Sequence, residues 1–295
     1  MLRDYQQQAI NGVYSGWQKS KNILLELPTG AGKTYTFSNV IDDMNVATCV
    51  MAHRQELVGQ MSLALAEMDI PHRIIAADAT VREIIKAHRL VTGKVMFDPT
   101  APVICASVDT LINKSSRMFN HIQLWVIDEA HHVLEENKWG RAVRKMPKTA
   151  RGLGVTATPI RADGKGLGSH TDGVFDELVR GPSGQELIDQ GYLSPYQCAV
   201  IGVNDLDFSA VEVGSTGDFK ANQLRTATKA SQRLVGSMVE QYLAKARGKL
   251  GITFCVDIEH AEDTTNSYLA AGVPAALVTS KTPLLERVAT MQKFK

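Results

Sequence analysis

Two short apolar runs, each ending abruptly in polar residues, constrain the fold of this chain more than any other feature. Residues 23–27 (ILLEL) lead into 28–34 (PTGAGKT), and residues 124–127 (LWVI) lead into 128–131 (DEAH). Runs of this length are typical of strands that are buried on both faces, as in a parallel sheet. Because ligands of open α/β sheets lie at the carboxyl ends of the strands, we expect both polar segments at one edge of one sheet.

The segment 28–34 has the physical parts of a phosphate-binding loop. Gly30 and Gly32 allow the chain to curl with its amide N–H groups pointing inward, and a helix beginning near Lys33 adds its N-terminal dipole. In such a loop Lys33 reaches the β- and γ-phosphates, and the Thr34 hydroxyl ligates Mg²⁺. Leu27 stands where the common GxxxxGK[ST] pattern has its first glycine, so the strict pattern fails. A glycine-rich turn with a surface lysine is the alternative interpretation.

A pair of carboxylates, Asp128 and Glu129, directly follows the second apolar run. Carboxylates are rarely buried without a partner, so the pair indicates either a solvated strand end or a metal site. In the second interpretation Asp128 holds Mg²⁺, and Glu129 orients or deprotonates the attacking water. The neighbouring His131 and His132 could suggest zinc, but neither a cysteine pair nor an HExxH helix accompanies them.

The bulk composition is that of an ordinary globular protein. The chain has 295 residues, 44% of them hydrophobic and 21% charged, and its net charge is +1. A net charge this close to zero does not by itself indicate a nucleic-acid partner, so any basic surface must be confined to part of the molecule. The four cysteines form no CxxC pair and favour reduced core positions, as in a cytoplasmic protein. The sequence shows no signal peptide and no apolar stretch long enough to span a membrane, so we expect no membrane partner.

Strands alternate with helical patterns along the first two thirds of the chain, which predicts a doubly wound parallel sheet. After a helix over residues 4–19 and the strand at 23–27, further strands are predicted at 47–52, 73–76, 103–106, 124–127 and 152–156. Helices are predicted at 55–68, 80–91 and 183–190. The turn-rich segment 191–195 indicates a domain boundary. A second α/β pattern follows, with helices at 231–246, 259–269 and 284–294 and strands at 251–256 and 275–279.

The ordered set of motifs resembles the superfamily 2 helicases and translocases, in the RadD-like and restriction-motor branch. Beside PTGAGKT and DEAH, the resemblance rests on RDYQ (3–6), AHRQEL (52–57), ASVDTL (106–111), TATP (156–159), GYLS (191–194) and FCVDIEHA (254–261). It covers essentially the whole chain. It implies a RecA-like doubly wound parallel sheet over residues 1–190, and a second, incomplete RecA-like lobe over residues 191–295.

The resemblance also implies an ATP-dependent DNA helicase or translocase that uses ATP and Mg²⁺, with DNA a stronger candidate than RNA. An RNA helicase remains an alternative, as does a non-catalytic module that binds ATP and nucleic acid. Lys33, Asp128 and Glu129 would be catalytic, and Thr34 and Asp128 would hold Mg²⁺. The nucleotide would lie on Arg3, Gln6, Thr29, Gly30, Ala31, Gly32, Lys33 and Thr34, with Arg3 and Gln6 recognising adenine. Four residues would face the nucleic-acid backbone: His53, Arg54, Ser107 and Thr110. His131, Thr156 and Thr158 would couple the ATP state to lobe movement.

One departure from the family pattern concerns its motifs V and VI, the second of which contains the arginine finger. Neither follows within the 295 residues. An arginine finger contributes roughly 10³–10⁵ in rate to phosphoryl transfer. The sequence therefore predicts slow ATP hydrolysis by this chain alone, as expected of a fragment, a degenerate module or a split protein completed by a second chain.

Overall fold

The computed structural model describes residues 2–52, 55–160, 166–198, 209–213, 219–220, 222–223, 226–227 and 233–294. Contacts divide the chain into two units, Met1–Tyr196 and Gln197–Lys295. This division falls slightly beyond the boundary predicted after residue 190. The assignment of the two parts as helicase lobes stays a prediction.

Seven parallel strands form the sheet of the first unit. In chain order they are β1 Asn22–Glu26, β2 Thr48–Ala52, β3 His72–Ile75, β4 Val103–Ser107, β5 Leu124–Asp128, β6 Arg151–Thr156 and β7 Glu177–Arg180. Their order across the sheet is β3-β4-β2-β5-β6-β1-β7. Every residue of β2 and β4 is buried, which fits their mostly apolar sequences and strands covered on both faces. The predicted α/β fold with a doubly wound parallel sheet is confirmed.

Helices connect these strands. They are α1 Asp4–Gly16, α2 Lys33–Met44, α3 Gln55–Glu67, α4 Asp78–Thr92, α5 Val108–Leu111, α6 Lys138–Val143 and α7 Gly184–Asp189, with 3₁₀ turns at Ser116–Phe119 and Ala130–His132. The first helix ends earlier than the predicted residue 19. Trp17 caps it, is buried and donates its indole N–H to the Gly152 carbonyl at 3.2 Å, which fixes the chain where it turns towards β1.

Two glycines of β6 make room for the aromatic core around the sheet. A Cβ atom on Gly152 would lie 2.1 Å from Cζ2 of Trp125, and one on Gly154 would lie 2.3 Å from Cζ of Phe175. The two rings, both almost fully buried, have centroids 6.0 Å apart. The same Cβ on Gly154 would lie 2.8 Å from the Cβ of Ala130, in the turn after β5. The packing of β6 therefore also sets the position of the 128–131 segment.

The edge strand β7 was not predicted from the sequence. It has four residues, two of them charged, so its sequence is not a continuous apolar run. Its residues alternate between intermediate and high exposure. It pairs with β1 from Ile23↔Glu177 to Glu26↔Arg180. Asp176 anchors its start by accepting hydrogen bonds from the backbone N–H groups of Lys21 and Asn22. These long-range contacts have no local signature in the sequence.

In the second unit the described helices are α8 Arg233–Lys245, α9 Ile258–Ala270 and α10 Leu284–Phe294, and the three helix predictions are confirmed. The predicted strands at 251–256 and 275–279 are wrong, because both segments are irregular. A strand exists only with a hydrogen-bonded partner, and neither segment pairs with any strand among the described residues. Ile252 and Phe254 are accordingly 62% and 90% exposed. Over the described part of the whole chain, each helix is too short or too polar to span a lipid bilayer.

Candidate nucleotide site

Three neighbouring strands, β1, β6 and β5, bring the predicted site residues to one edge of the sheet. Glu26 at the end of β1 is in register with Thr156 of β6, and Val155 is in register with Asp128 of β5. The backbone N–H of Leu27, where the loop leaves β1, donates to the Thr156 carbonyl at 3.0 Å. The PTGAGKT loop, the DEAH segment and Thr156 therefore converge, as expected from the parallel strands.

The loop after β1 has the backbone curvature that its glycines permit. Gly30 and Gly32 have φ angles of +84° and +78°, in the left-handed region that favours glycine. Gly32 is the N-cap of α2, which begins at Lys33. Because a glycine cap offers no side-chain acceptor, the first N–H groups of α2 are left for an anion. Thr29 and Ala31 belong to the same loop, and Thr34 lies half-buried in the first turn of α2.

The first turn of α1 is hydrogen-bonded to this loop. The Tyr5 hydroxyl and the Gln6 amide nitrogen both donate to the Ala31 carbonyl at 2.9 Å. The Gln6 side-chain oxygen accepts the Arg3 backbone N–H at 3.0 Å, and Gln6 is only 4% exposed. Gln6 therefore positions the phosphate loop. Its direct recognition of adenine stays a prediction.

A cluster of Arg3, Tyr5 and Tyr192 lies beside the loop. The Arg3 guanidinium lies 5.3 Å from the centre of the Tyr192 ring, a distance typical of a cation–π contact, and donates to the Tyr192 carbonyl at 3.4 Å. The Tyr5 and Tyr192 rings meet edge to face at 5.0 Å. The next residue, Leu193, would be 3.0 Å from a Cβ on Gly30. The sequence analysis predicted a domain boundary at 191–195 and did not predict these contacts. The signal available in the sequence was Tyr192, a large aromatic residue within a turn-rich segment.

Asp128 ends β5 and lies mostly inside the protein. Its side chain accepts the backbone N–H of Glu129 at 2.9 Å. Burial is the main cause that raises the pKa of the Asp128 carboxyl, and the nearby Glu129 carboxylate adds to it. The positive charge of Lys33 acts in the opposite direction. A partly buried carboxylate that feels the charge of a nearby lysine is a suitable environment for a divalent cation, whose charge would favour the ionised form.

The set of donors fits Mg²⁺. Magnesium takes few protein ligands, commonly one or two oxygens together with phosphate and water. Asp128 and the Thr34 hydroxyl provide oxygens of that kind. In the described residues no group of three or more His, Cys, Asp or Glu side chains could hold a metal ion by itself.

Glu129 has an unusual backbone conformation. Its φ and ψ are +52° and +48°, a left-handed conformation that costs a non-glycine residue about 1–3 kcal/mol. This turn directs the Glu129 carboxylate to within 3.3 Å of His131 Nδ1, while 40% of the side chain remains exposed. An exposed carboxylate next to a partly buried one can bind a water molecule between the site and solvent.

The three residues predicted to couple the sites form a hydrogen-bonded set. His131 Nδ1 lies 3.0 Å from Thr156 Oγ1, and the same hydroxyl accepts the Thr158 N–H at 3.1 Å and lies 3.2 Å from the Thr158 carbonyl. Thr156 is fully buried. The DEAH segment and the segment after β6 are thus joined through one threonine hydroxyl.

The residues expected to contact nucleic acid are only partly described. His53 and Arg54 lie outside the described residues. Ser107 ends β4 in register with Ala52 of β2, is 3% exposed and is the N-cap of α5. Thr110 is half-buried within α5. Both lie near the same sheet edge as the nucleotide site, and their contact with nucleic acid stays a prediction.

The chain is similar to several helicases and translocases. IRC3 of Saccharomyces cerevisiae, named as an ATP-dependent helicase, is 30% identical over 322 residues, which cover 100% of this chain and 43% of that protein. The DNA 3'-5' translocase XPB2 of Sulfurisphaera tokodaii is 28% identical over 165 residues, covering 56% of this chain and 32% of that protein. The Hef helicase domain of Pyrococcus furiosus aligns at 17% identity with a TM-score of 0.46, over 99% of this chain and 57% of that one.

The chain spans less than half the length of the IRC3 relatives, 43% in Saccharomyces cerevisiae and 47% in Schizosaccharomyces pombe. The family model of the type III restriction enzyme, res subunit, matches residues 1–161, more than half of the chain. That match contains the phosphate loop, the DEAH segment and the threonines after β6. The chain therefore belongs to the family of the type III restriction enzyme res subunit, within the restriction-motor branch of the superfamily 2 helicases.

Proposed function

We propose that this chain binds Mg²⁺-ATP at the candidate nucleotide site and is part of an ATP-dependent motor that moves on or remodels DNA. One observation carries the proposal. The PTGAGKT loop, the Asp128–Glu129 pair and the Thr156 hydroxyl converge on three adjacent strand ends. Phosphate binding, water activation and coupling to the rest of the chain all need residues at that edge.

Each residue of the site has a distinct task in this proposal. The loop amides and Lys33 bind the phosphates, and Thr34 and Asp128 hold Mg²⁺. When bound, the cation neutralises charge that develops on the transferred phosphoryl group. Glu129 accepts a hydrogen bond from the attacking water and orients it, since its carboxylate lies next to Asp128 and reaches solvent. Hydrolysis removes the γ-phosphate near Glu129 and alters the hydrogen bonding of His131. Because Thr156 is bonded to both His131 and the backbone of Thr158, the position of the segment after β6 depends on the state of the nucleotide.

DNA is the proposed nucleic acid, because the chain matches the res subunit of type III restriction enzymes and is similar to XPB2, which is named as a DNA translocase. Ser107 and Thr110, together with His53 and Arg54, would contact its backbone. Backbone contacts position a protein without reading sequence, so we expect little sequence preference. A second chain that supplies an arginine to the site, and a cytoplasmic location, are further proposals.

ATP turnover in the presence of different nucleic acids tests the proposal. Steady-state hydrolysis by this chain alone should be slow, because no arginine-finger segment occurs in these 295 residues. What turnover there is should require Mg²⁺, rise with single- or double-stranded DNA more than with RNA of the same sequence, and fall to background in Glu129→Gln. The neighbouring Glu135→Gln, outside the site, is the matched control and should keep the wild-type rate. ATP binding without turnover under every condition would favour the non-catalytic module. Equal turnover in Glu129→Gln would remove that residue from the chemistry.

A further inference from the structure

Two segments that flank β5 are strongly basic, although the whole chain has a net charge of only +1. Residues 112–123 and 138–151 contain no Asp or Glu. Their Lys and Arg residues are Lys114, Arg117, Lys138, Arg141, Arg144, Lys145, Lys148 and Arg151. Positive charge is therefore concentrated in two short segments of a chain whose total charge is nearly balanced, and this creates a local positive potential.

The structure brings the two segments together around an open cavity of about 430 Å³. We refer to it as the basic cleft, lined by Ile112, Asn113, Ser116, Arg141, Arg144 and Lys145. Asn113 and Ser116 are exposed and add an amide and a hydroxyl to the three cations. The Lys145 ammonium donates to the Lys114 carbonyl, which holds one wall of the cleft against the other.

The carboxylates around the basic cleft do not cancel its charge. Arg144 lies 3.7 Å from Glu136, whose side chain is 90% exposed, so this pair is weak in water. Arg144 also donates to the Glu135 carbonyl. Another carboxylate of this region, Asp109, is paired with Lys138 at 2.9 Å. Within the part of the chain that the structure describes, Arg141 forms no ion pair, and its side chain is exposed.

The cleft continues from the segment proposed to contact nucleic acid. Thr110 lies in α5, Ile112 is the C-cap of that helix, and the cleft begins there. Its other wall, α6, follows the DEAH segment along the chain. Residues that line the cleft are different from those of the nucleotide site, so the two can be altered separately.

We propose that the basic cleft binds phosphate groups of a nucleic-acid backbone, at a site separate from the one for ATP. Guanidinium groups match phosphate oxygens in a bidentate geometry, and amides and hydroxyls are common additional donors to phosphate. An open cleft with no aromatic residue in its lining offers nothing on which a base could stack, so binding is independent of sequence. The inference rests on the proposed function only in its choice of nucleic acid over other polyanions.

The test is fluorescence anisotropy of labelled mixed-sequence DNA, single- and double-stranded, titrated with the full chain at several KCl concentrations without nucleotide. Arg141→Glu should weaken binding roughly tenfold and lower the salt slope by about one, as expected for the loss of a phosphate contact. Arg141→Lys keeps the charge but not the bidentate geometry, so it should keep the salt slope and lose less affinity than Arg141→Glu. Lys19→Glu changes the net charge equally at an exposed position before β1 and should bind as the wild type does.

Unchanged affinity and salt slope in Arg141→Glu would overturn the proposal, as would a wild-type chain that binds no DNA. Binding of polyglutamate that depends on Arg141, with DNA binding unaffected, would instead assign the cleft to an acidic protein. Mg²⁺-ATP titration of the same variants separates this result from a failure of the proposed function. Arg141→Glu should bind ATP normally, whereas a faulty nucleotide site would show in ATP binding and leave the DNA result intact.

Discussion

His131 Nδ1 lies 3.0 Å from Thr156 Oγ1, so the turn after β5 is joined directly to the last residue of β6. The contact is part of a partly buried set of hydrogen bonds that also includes the backbone of Thr158. It gives the DEAH segment a defined position relative to the segment that leaves the sheet. The predictions below start from this contact and from the packing that supports it.

Replacing Thr156 by valine keeps the shape of the side chain and removes its hydroxyl. The Thr158 N–H then loses its acceptor, and we expect the free energy of unfolding to fall by about 0.5–1.5 kcal/mol, the net contribution of one hydrogen bond, because Thr158 is exposed and water can replace the lost acceptor. Urea denaturation measures this. In a double-mutant cycle with His131→Ala, the coupling energy should be about 1 kcal/mol. Strictly additive effects would show that the His131–Thr156 contact does not act as a unit.

Adding one methyl group at Gly154 should destabilise the first unit. Its Cβ would lie 2.3 Å from Phe175 and 2.8 Å from Ala130, and overpacking of this kind costs about 1–3 kcal/mol. Gly184→Ala is the matched control, because its Cβ would meet only Pro28 at 3.9 Å. Thermal denaturation should show a lower Tm for Gly154→Ala and an unchanged or slightly higher one for the control. Equal Tm values would mean that β6 tolerates a side chain there.

Stability should depend on pH through a buried group of polar residues. The Ser62 hydroxyl lies 2.6 Å from His72 Nε2 and 3.0 Å from His88 Nε2, and His72 Nδ1 lies 2.8 Å from the Ile70 carbonyl. Burial lowers the pKa of His72 from 6.5 to about 4. Between these values the unfolded chain binds more protons than the folded one, so the free energy of unfolding rises with pH.

We therefore expect stability to be complete above about pH 6.5 and to fall by up to about 3 kcal/mol as the pH approaches 4. Urea denaturation across that range measures the slope. His72→Gln removes one titrating ring and should reduce the slope, leaving the part due to His88, whose pKa burial also lowers. His121→Gln, at an exposed position, should leave the slope unchanged. A His72→Gln slope equal to that of the wild type would assign the pH dependence to other groups.

Gln6→Glu distinguishes positioning of the phosphate loop from recognition of adenine. The substitution replaces the amide donor to Ala31 by an oxygen that repels the carbonyl in a buried place. We expect roughly tenfold weaker binding of both ATP and tripolyphosphate, which has no base, because the loop itself is displaced. The adjacent, exposed Gln7→Glu is the control. Weaker ATP binding with unchanged tripolyphosphate binding would show that Gln6 acts on the base instead.

The sequence was sufficient where short-range patterns decide the structure. The runs before Pro28 and Asp128 predicted two buried strands, and glycines at 30 and 32 predicted the loop between β1 and α2, because both signals are local. The edge strand β7 and the contacts of Tyr192 depend on residues more than a hundred positions away along the chain, which no local pattern records. The failure at 251–256 has a related cause. Alternating apolar residues look the same whether or not a partner strand is present, and no strand in the described part of the chain pairs with them.

Calorimetric titration of Mg²⁺-ATP into the wild-type chain and Lys33→Ala tests the central claim most directly. Loss of a charged hydrogen-bond donor to phosphate should raise the Kd roughly 10- to 100-fold, and Lys19→Ala should leave it unchanged. A Kd in Lys33→Ala equal to that of the wild type would contradict the placement of ATP on the PTGAGKT loop.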